Sequence, residues 1–252
     1  MTSPSSIEPQ EKNAHRGRAP EGELIAAREE VEARQVREMF GSIAPRYDLA
    51  NSFLSLGIHK LWRIRLKKHF RGAEQEPVLD VCTGTGDVLV DLERSFNHCI
   101  GVDFCFPMMV HGKKRRSSSL FVQGDALSLP FPDDSFGLIT VSFGVRNLES
   151  VETGLRELRR ILKPGGKLLI LEFGQPTNFA WRQVFDFYSA FILPTVGGLL
   201  TGNRAAYEYL PKTSKEFPCA DDFKKVIAAC DFRDIAWESL TGGIAYLYSA
   251  VK

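Results

Sequence analysis

Short apolar runs recur along the chain, separated by stretches of helical periodicity. Val78–Cys82, Cys99–Asp103, Leu120–Gln123, Leu138–Phe143 and Lys167–Phe173 are brief and almost continuously apolar. That is how strands read when both faces of a parallel sheet are covered. Between the fourth and fifth runs, Val151–Leu162 sets Leu155, Leu158, Ile161 and Leu162 on one face and predicts a helix. Lys163-Pro164-Gly165-Gly166 then stops it, since proline cannot continue a helix and the glycines allow a turn. A helix over Asp221–Ala229 and strands near Ile235–Glu238 and Ile244–Ala250 complete the pattern. Alternation of this kind predicts an α/β fold with a doubly wound, mostly parallel sheet and helices on both faces.

The flanking regions read differently. Residues 1–32 are Ser, Pro, Gly, Glu and Arg with almost no large apolar side chains, so they are expected to form a flexible polar tail before a domain spanning 33–252. Phe53, Leu54, Ile58, Leu61, Trp62, Leu66 and Phe70 recur at helical spacing. They predict one amphipathic helix covering the sheet, its basic side chains solvated; a membrane-surface helix is the sharper alternative. Met108–Leu120, with Lys113–Arg116 and three serines, is too polar for the helix due there and reads as a ragged surface connection. An apolar helical insertion at about 176–215 is rich in Phe and Leu, most of them expected to pack a helix on the sheet. Its longest uncharged run, Phe187–Asn203, is broken by Pro194 and Gly197-Gly198, so no membrane-spanning helix is expected.

Composition narrows the function. Of 252 residues, 44% are apolar and 25% charged, enough for one sizeable core. Lys and Arg number 32 against 31 for Asp and Glu, and this balance excludes the basic excess that nucleic-acid binding demands. Five cysteines without a C-x-x-C pair indicate neither a disulfide framework nor a thiolate metal site, so no metal is expected. The first thirty residues lack an apolar signal core and are too rich in glutamate for a transit peptide. A reducing, cytoplasmic compartment follows as the expectation.

The informative loop is Asp80-Val81-Cys82-Thr83-Gly84-Thr85-Gly86-Asp87, where a strand ends and a helix opens. Gly84 and Gly86 let backbone approach a ligand, and the helix start offers free N–H groups. No lysine follows Gly86, which excludes a P-loop, and Leu89 replaces the third glycine of a dinucleotide fingerprint. Asp87 would stand against a pyrophosphate but suits a cationic ligand, and S-adenosylmethionine carries ammonium and sulfonium groups. Asp103 ends the second strand where a carboxylate accepts from a ribose diol. Asp125-Ala126 follows the third strand, where an adenine amino group needs an acceptor.

Four segments together resemble a specific family. They are Tyr47-Asp48 through Ser55-x-Gly57-Ile58-His59-Lys60-Leu61-Trp62-Arg63, then Gly84-Thr85-Gly86-Asp87, then Ser142-Phe143-Gly144-Val145-Arg146-Asn147. The last is Leu162-Lys163-Pro164-Gly165-Gly166 with Leu171-Glu172-Phe173. From about Val36 onward the chain resembles the ubiquinone/menaquinone-biosynthesis C-methyltransferases of the UbiE/MenG type, class I S-adenosylmethionine-dependent enzymes. The resemblance implies a Rossmann-like, seven-stranded sheet. It implies S-adenosylmethionine held by Thr85, Asp103, Asp125, Ala126 and Ser142, with Asp80, Gly84 and Gly86 shaping the loop. Cys82-Thr83 departs from the small residues many members carry there.

The resemblance further implies methylation of a ring carbon of a polyprenylated quinol. Such a carbon becomes nucleophilic as a neighbouring hydroxyl loses its proton, so a base and a positive partner are needed. Arg146 is the candidate positive partner, or else one half of a structural salt bridge. Asn147 is a candidate for orienting a hydroxyl or water, or else a helix cap. Asp87 and His59 are candidate proton acceptors, and Tyr47 and Asn51 candidate pocket residues. A prenylated substrate makes peripheral contact with the inner face of the membrane an expectation; a homodimer is compatible with the chain. Methylation of oxygen or nitrogen on another small molecule, and a non-catalytic cofactor-binding assembly role, stay open as alternatives.

Overall fold

The computed structural model describes residues 34–71, 77–115 and 119–252. The expected tail lies outside the described residues. The chain enters through helix α1 (residues 34–43), a single 3₁₀ turn, α2 (Tyr47–Leu54) and α3 (Ile58–Lys67). The order then runs β1 (Val78–Val81), α4 (Asp87–Glu93), β2 (Cys99–Asp103), α5 (Phe106–Arg115), β3 (Leu120–Gln123), β4 (Phe136–Ser142), α6 (Val151–Ile161) and β5 (Leu162–Phe173). Helices α7 (Phe179–Phe187), α8 (Leu193–Thr201), α9 (Arg204–Glu216) and α10 (Asp221–Ala229) precede β6 (Arg233–Leu240) and β7 (Ala245–Val251).

One seven-stranded sheet has the order β3-β2-β1-β4-β5-β7-β6. Strands β1 to β5 pair in parallel, whereas β7 runs antiparallel to both β5 and β6. Alternate residues divide between two cores, as a period of two requires. Leu79, Val81, Ile139, Leu168 and Ile170 pack with Leu155 and Leu158 of α6 and Phe223 and Ile227 of α10. Val78, Leu138, Leu169 and Leu171 pack on the other face with Trp62 and Leu66 of α3 and Val88 and Leu92 of α4. Because β1 has β2 on one side and β4 on the other, the chain's winding reverses there and opens a crevice at the carboxyl ends.

Four sequence expectations change. The helix expected over Phe53–Phe70 is two helices. Leu56 adopts φ 49° and Gly57 φ 77° between them, and Gly57 N–H donates to the Ser52 carbonyl at 3.1 Å in a Schellman turn. Its basic residues are not all solvated: Arg63 and Lys67 grip the buried Asp91, each at 2.7 Å. The ragged connection is α5: Pro107 sits in its first turn, where a missing N–H costs nothing, and the basic residues gather toward its end, favourably for the helix dipole. Lys163-Pro164-Gly165-Gly166 turns within the bounds of β5, with Gly165 at φ 77° and Gly166 accepting from Lys252 N–H at 3.1 Å.

The insertion departs furthest. Helices α7 and α8 run continuously from Phe179 to Thr201 through a π-helical turn, Tyr188–Ile192. The wider turn releases backbone just before Pro194, so the proline falls at the start of α8 and does not break the run. The result is one helix long and apolar enough to cross a membrane by length and composition, only 28% buried over its most apolar window. Most of its Phe and Leu side chains do not pack on the sheet, and α7 buries no residue fully. Leu155, Leu158 and Ile161 of α6 lie buried in the first of the two cores. Leu155→Ala, at a fully buried site, is expected to cost about 2–5 kcal/mol, read as a lower urea midpoint with an unchanged slope.

Candidate functional site

The loop after β1 is built for close approach. Cys82, Gly84 and Gly86 all have positive φ, at 55°, 55° and 78°. Helix α5 backs the loop so tightly that a Cβ on Gly112 would lie 2.6 Å from the Thr85 carbonyl oxygen. Two buried carboxylates brace it from below. Asp80 accepts from the hydroxyls of Thr83 (2.7 Å) and Thr140 (2.6 Å), and burial pushes its pKa up to about 7. Asp103 accepts from Gly84 N–H and Cys105 N–H, both at 2.8 Å. Burial raises its pKa to about 6 despite those bonds.

Two cavities meet over this loop. The smaller, about 110 Å³, is lined by Gly84, Asp103, Asp125, Ala126, Ser142 and Asn147, with Phe104, Met108 and Leu127 as apolar walls. Asp125 uses one oxygen to accept from Leu127 N–H at 2.9 Å, leaving its other oxygen available. The larger, about 410 Å³, is mostly apolar and is lined by Tyr47, Asn51, His59, Thr85, Asp87 and Arg146 among others. Tyr47, Cys82, Gly84, Ser142 and Phe143 line both. The Ser142 hydroxyl at this junction is buried and has no hydrogen-bond partner.

The donor set of the small cavity fits a nucleoside. It has one carboxylate at the end of β2, another beyond β3, apolar walls between them and an unsatisfied hydroxyl at the junction. The structure therefore brings together Gly84, Asp103, Asp125, Ala126 and Ser142. Thr85 and Asp80 lie against the larger cavity instead, and the Thr85 hydroxyl donates to Asp48 at 2.6 Å. Asp48, in the first turn of α2, is a residue whose partner the sequence did not reveal.

Arg146 and Asn147 follow β4 on a 3₁₀ turn and line different cavities. Arg146 enters the larger cavity, its guanidinium donating to Glu172 at 2.5 Å and to the Phe143 carbonyl at 2.7 Å. The pair is deeply buried, with side chains 4% and 0% exposed, and the guanidinium lies 5.1 Å from the Phe173 ring centre. Its Nε is buried without a partner. Asn147 borders the smaller cavity and accepts from Tyr209 at 3.2 Å; the cap of α6 is Ser150, not Asn147. Glu172 was legible as an acid inside an apolar strand, but its partner was not.

His59 makes one local hydrogen bond, and that bond sets its chemistry. The Ser55 hydroxyl donates to the Asn51 carbonyl at 2.6 Å and lies 2.6 Å from His59 Nδ1. Its single proton is committed to Asn51, so toward His59 it accepts. Nδ1 then carries the ring proton and Nε2 keeps a free lone pair. Burial lowers the His59 pKa, favouring this neutral form, against the opposing pull of Asp87. Asp87 sits 3.0 Å from Arg63, so one of its oxygens is engaged by that guanidinium. Tyr47 is half-buried, desolvation raises the pKa of its hydroxyl, and Asn51 hydrogen-bonds to it.

Fold and site define an S-adenosylmethionine-dependent methyltransferase architecture. Solved structures of the same fold include a methyltransferase of Thermotoga maritima described as a possible histamine N-methyltransferase. Its TM-score is 0.63 at 17% identity, over 85% of this chain and 98% of that one. Another is phosphoethanolamine N-methyltransferase 2 of Haemonchus contortus in complex with S-adenosylmethionine, with a TM-score of 0.57 at 16% identity, over 76% of this chain and 52% of that one.

Sequence is more specific. The profile of the ubiE/COQ5 methyltransferase family matches residues 28–252, and this chain belongs to that family. Relatives include the ubiquinone/menaquinone biosynthesis C-methyltransferase UbiE of Bdellovibrio bacteriovorus, 39% identical over 84% of this chain and 94% of the relative. The demethylmenaquinone methyltransferase of Bacteroides fragilis is 41% identical over 86% and 92%.

The raised pKa of Asp103 gives a signed prediction. Were Asp103 to accept from both hydroxyls of a bound ribose, binding would favour its ionised form. Affinity for S-adenosylhomocysteine, measured by calorimetry, is expected to fall as pH drops through about 6. Asp103→Asn is expected to bind weakly with that pH dependence lost.

Proposed function

We propose that this chain methylates a ring carbon of a polyprenylated quinol, using S-adenosylmethionine. The reaction is demethylmenaquinol to menaquinol, the methoxy-polyprenyl-benzoquinol step of ubiquinone synthesis, or both. The observation that carries this reading is the larger cavity. It is apolar, shares Ser142 and Gly84 with the smaller cavity, and presents Arg146 and His59 in its wall. An isoprenoid tail has strong reason to enter such a space, since each buried CH₂ contributes about 0.8 kcal/mol. We place the reaction at the cytoplasmic face of the membrane, where such a quinol resides.

Asp103, Asp125, Ala126, Ser142 and the Gly84 backbone would hold the cofactor, which supplies an electrophilic methyl group on a sulfonium. The chain's own residues prepare the nucleophile. His59 Nε2 accepts the quinol hydroxyl proton, so charge develops on that oxygen and its neighbouring ring carbon; once that carbon carries the methyl group its displaced hydrogen leaves as a proton, and the oxygen regains one from the His59 imidazolium. Arg146 Nε, buried and without a partner, donates to the developing oxyanion. Because Glu172 neutralises the guanidinium, Arg146 acts as an aimed donor more than as a net charge. Asn147, its carbonyl held by Tyr209, would orient a hydroxyl or water through its amide N–H groups. Trp62, Phe143 and Phe173 form an aromatic wall with centroids 4.5–6.0 Å apart that excludes water.

Incubation with methyl-labelled S-adenosylmethionine and a short-chain demethylmenaquinol tests this. Label on a ring carbon is expected; label on oxygen, or binding without transfer, would refute it. Arg146→Ala is expected to lower kcat by about 10²–10³ while leaving S-adenosylhomocysteine affinity within a few-fold. His59→Gln is expected to depress kcat and to remove the acid limb of its pH profile. Burial puts that limb below the ordinary histidine range, because the base must be neutral to act.

A further inference from the structure

Buried polar atoms are nearly always hydrogen-bonded, so one that is not calls for a reason. Among the described residues, the Ser142 hydroxyl, Arg146 Nε and the Tyr207 hydroxyl are buried without a hydrogen-bond partner. All three residues line the larger cavity. Ser142 is shared with the smaller cavity, and Arg146 Nε serves the developing oxyanion. Tyr207 has no part in that chemistry, yet its hydroxyl is left over in the same way and in the same wall.

The α8–α9 hairpin fixes the Tyr207 ring. Gly202, at φ 80°, ends α8, and Asn203 opens α9 by accepting from Ala206 N–H at 3.2 Å. The ring lies against the α8 backbone, where a Cβ on Gly197 would come within 2.4 Å of it. Ile43 of α1, Ala50 of α2 and Leu193 and Leu200 of α8 belong to the same apolar cluster. Tyr207 is only 4% exposed, so its hydroxyl does not reach bulk water. Thr201, one helical turn beyond Gly197, lies beside that hydroxyl but donates its own proton to the Gly197 carbonyl at 2.7 Å. For packing alone, phenylalanine would serve better here, because the hydroxyl adds a desolvated group that nothing in the fold satisfies.

The chemistry of the hydroxyl is that of a neutral donor. Burial pushes the Tyr207 pKa up to about 12, and Tyr47 adds to the rise, so the group stays protonated at any working pH. Tyr47 is also within electrostatic reach of Arg146, so it relates the two orphaned donors to each other. They enter one cavity from separate elements, α9 and the turn after β4. A 1,4-quinol carries oxygens at opposite edges of its ring. Arg146 and His59 serve the oxygen beside the reacting carbon, and the other would be desolvated in an apolar cavity without a partner unless the wall supplies one. A ring held at one oxygen pivots about it; held at both, it keeps one carbon in line with the methyl donor.

We propose that the Tyr207 hydroxyl donates a hydrogen bond to the second oxygen of the 1,4-quinol, the one across the ring from the oxygen beside the reacting carbon. Tyr207 is then a substrate-binding residue that fixes the ring within its own plane. It also makes the cavity prefer acceptors that carry oxygen at both positions. The identity of the ligand rests on the function proposed above.

Calorimetry of the full chain, under reducing conditions and with S-adenosylhomocysteine present, tests the contact. The titrants are a short-chain demethylmenaquinol and its analogue with hydrogen in place of the second hydroxyl. The parent chain is expected to bind the quinol about tenfold more tightly than the analogue. Tyr207→Phe is expected to bind both equally, at the parent's affinity for the analogue, whereas Thr201→Val keeps the parent's preference. A Tyr207→Phe protein that retains the preference would overturn the proposal. So would one that binds both ligands more weakly by the same factor, which is the mark of a structural role alone. Loss of the preference in Thr201→Val would overturn it as well, by making Thr201 the partner of the hydroxyl. Methyl transfer is read separately. A preference that Tyr207→Phe abolishes, with no ring carbon labelled by the parent, would uphold the contact and refute the catalytic reading. Ring-carbon label with a preference indifferent to Tyr207 would do the reverse, and a parent that binds neither ligand would sink both.

Discussion

The site depends on how closely the loops after β1 and β4 pass each other at the carboxyl edge of the sheet. A Cβ on Gly144 would lie 2.3 Å from Cys82 Cβ, so these loops are already in full contact and only glycine fits. Cys82 and Phe143 take positive φ, at 55° and 59°, to make the crossing. Such strain persists only where the surroundings over-determine it, and here β1 and β4 pair residue for residue up to the crossing. The contact divides one crevice into two cavities and leaves Ser142 at the opening between them. Transfer of a small group across that opening is what the division permits.

Buried charge fixes the parts that face the cavities. Arg146 and Glu172 are both removed from water, a desolvation that attraction offsets only with good geometry and further hydrogen bonds. Glu172 supplies them by accepting also from Phe173 N–H at 2.8 Å, and Arg146 by donating to Phe143. The result neutralises the charge but fixes the direction of the guanidinium. Arg63 plays a comparable part on α3. It binds Asp91 through two nitrogens and Asp87 through a third, so the start of α4 is locked to the helix that carries His59. Thr85 and Asp48 add a third tie, from the glycine loop to α2. The substrate side is thus fastened to the cofactor loop at several points, and reacting groups can be aligned without large rearrangement.

Local sequence carried the sheet well and the helices less evenly. Strands β2 and β3 and helix α10 have their expected bounds, because turn residues mark their ends. The α2–α3 break was masked because Leu54 and Ile58 stand four apart across it, so the apolar period ran on over Leu56-Gly57. Pro194 read as a stop because a π-helical turn, invisible in composition, provides the room that a proline needs. In α5 the basic run read as loop, although it gathers at a helix end where the dipole favours it. Among site residues, the acids at strand ends were legible from position alone. The pairings Arg63–Asp91, Arg146–Glu172 and Thr85–Asp48 were not, because each joins elements far apart in sequence and depends on the closed fold.

The insertion shows why burial cannot be read from apolarity alone. Its side chains have the pattern of a core helix, yet the sheet face they would cover is already filled by α3 and α4. The α7–α8 helix is held instead at its ends and inner side, through Asn178, the Tyr188 hydroxyl and the contact of Gly197 with the Tyr207 ring. What remains outward is apolar surface that folding does not need, beside a cavity whose lining is apolar as well. In a freely dissolved protein that surface is a liability for solubility, and its concentration at one opening sets it apart from random exposure. The same residues that leave the helix poorly buried extend the cavity's lining out to the surface, so an apolar ligand would meet one continuous environment from rim to reacting centre.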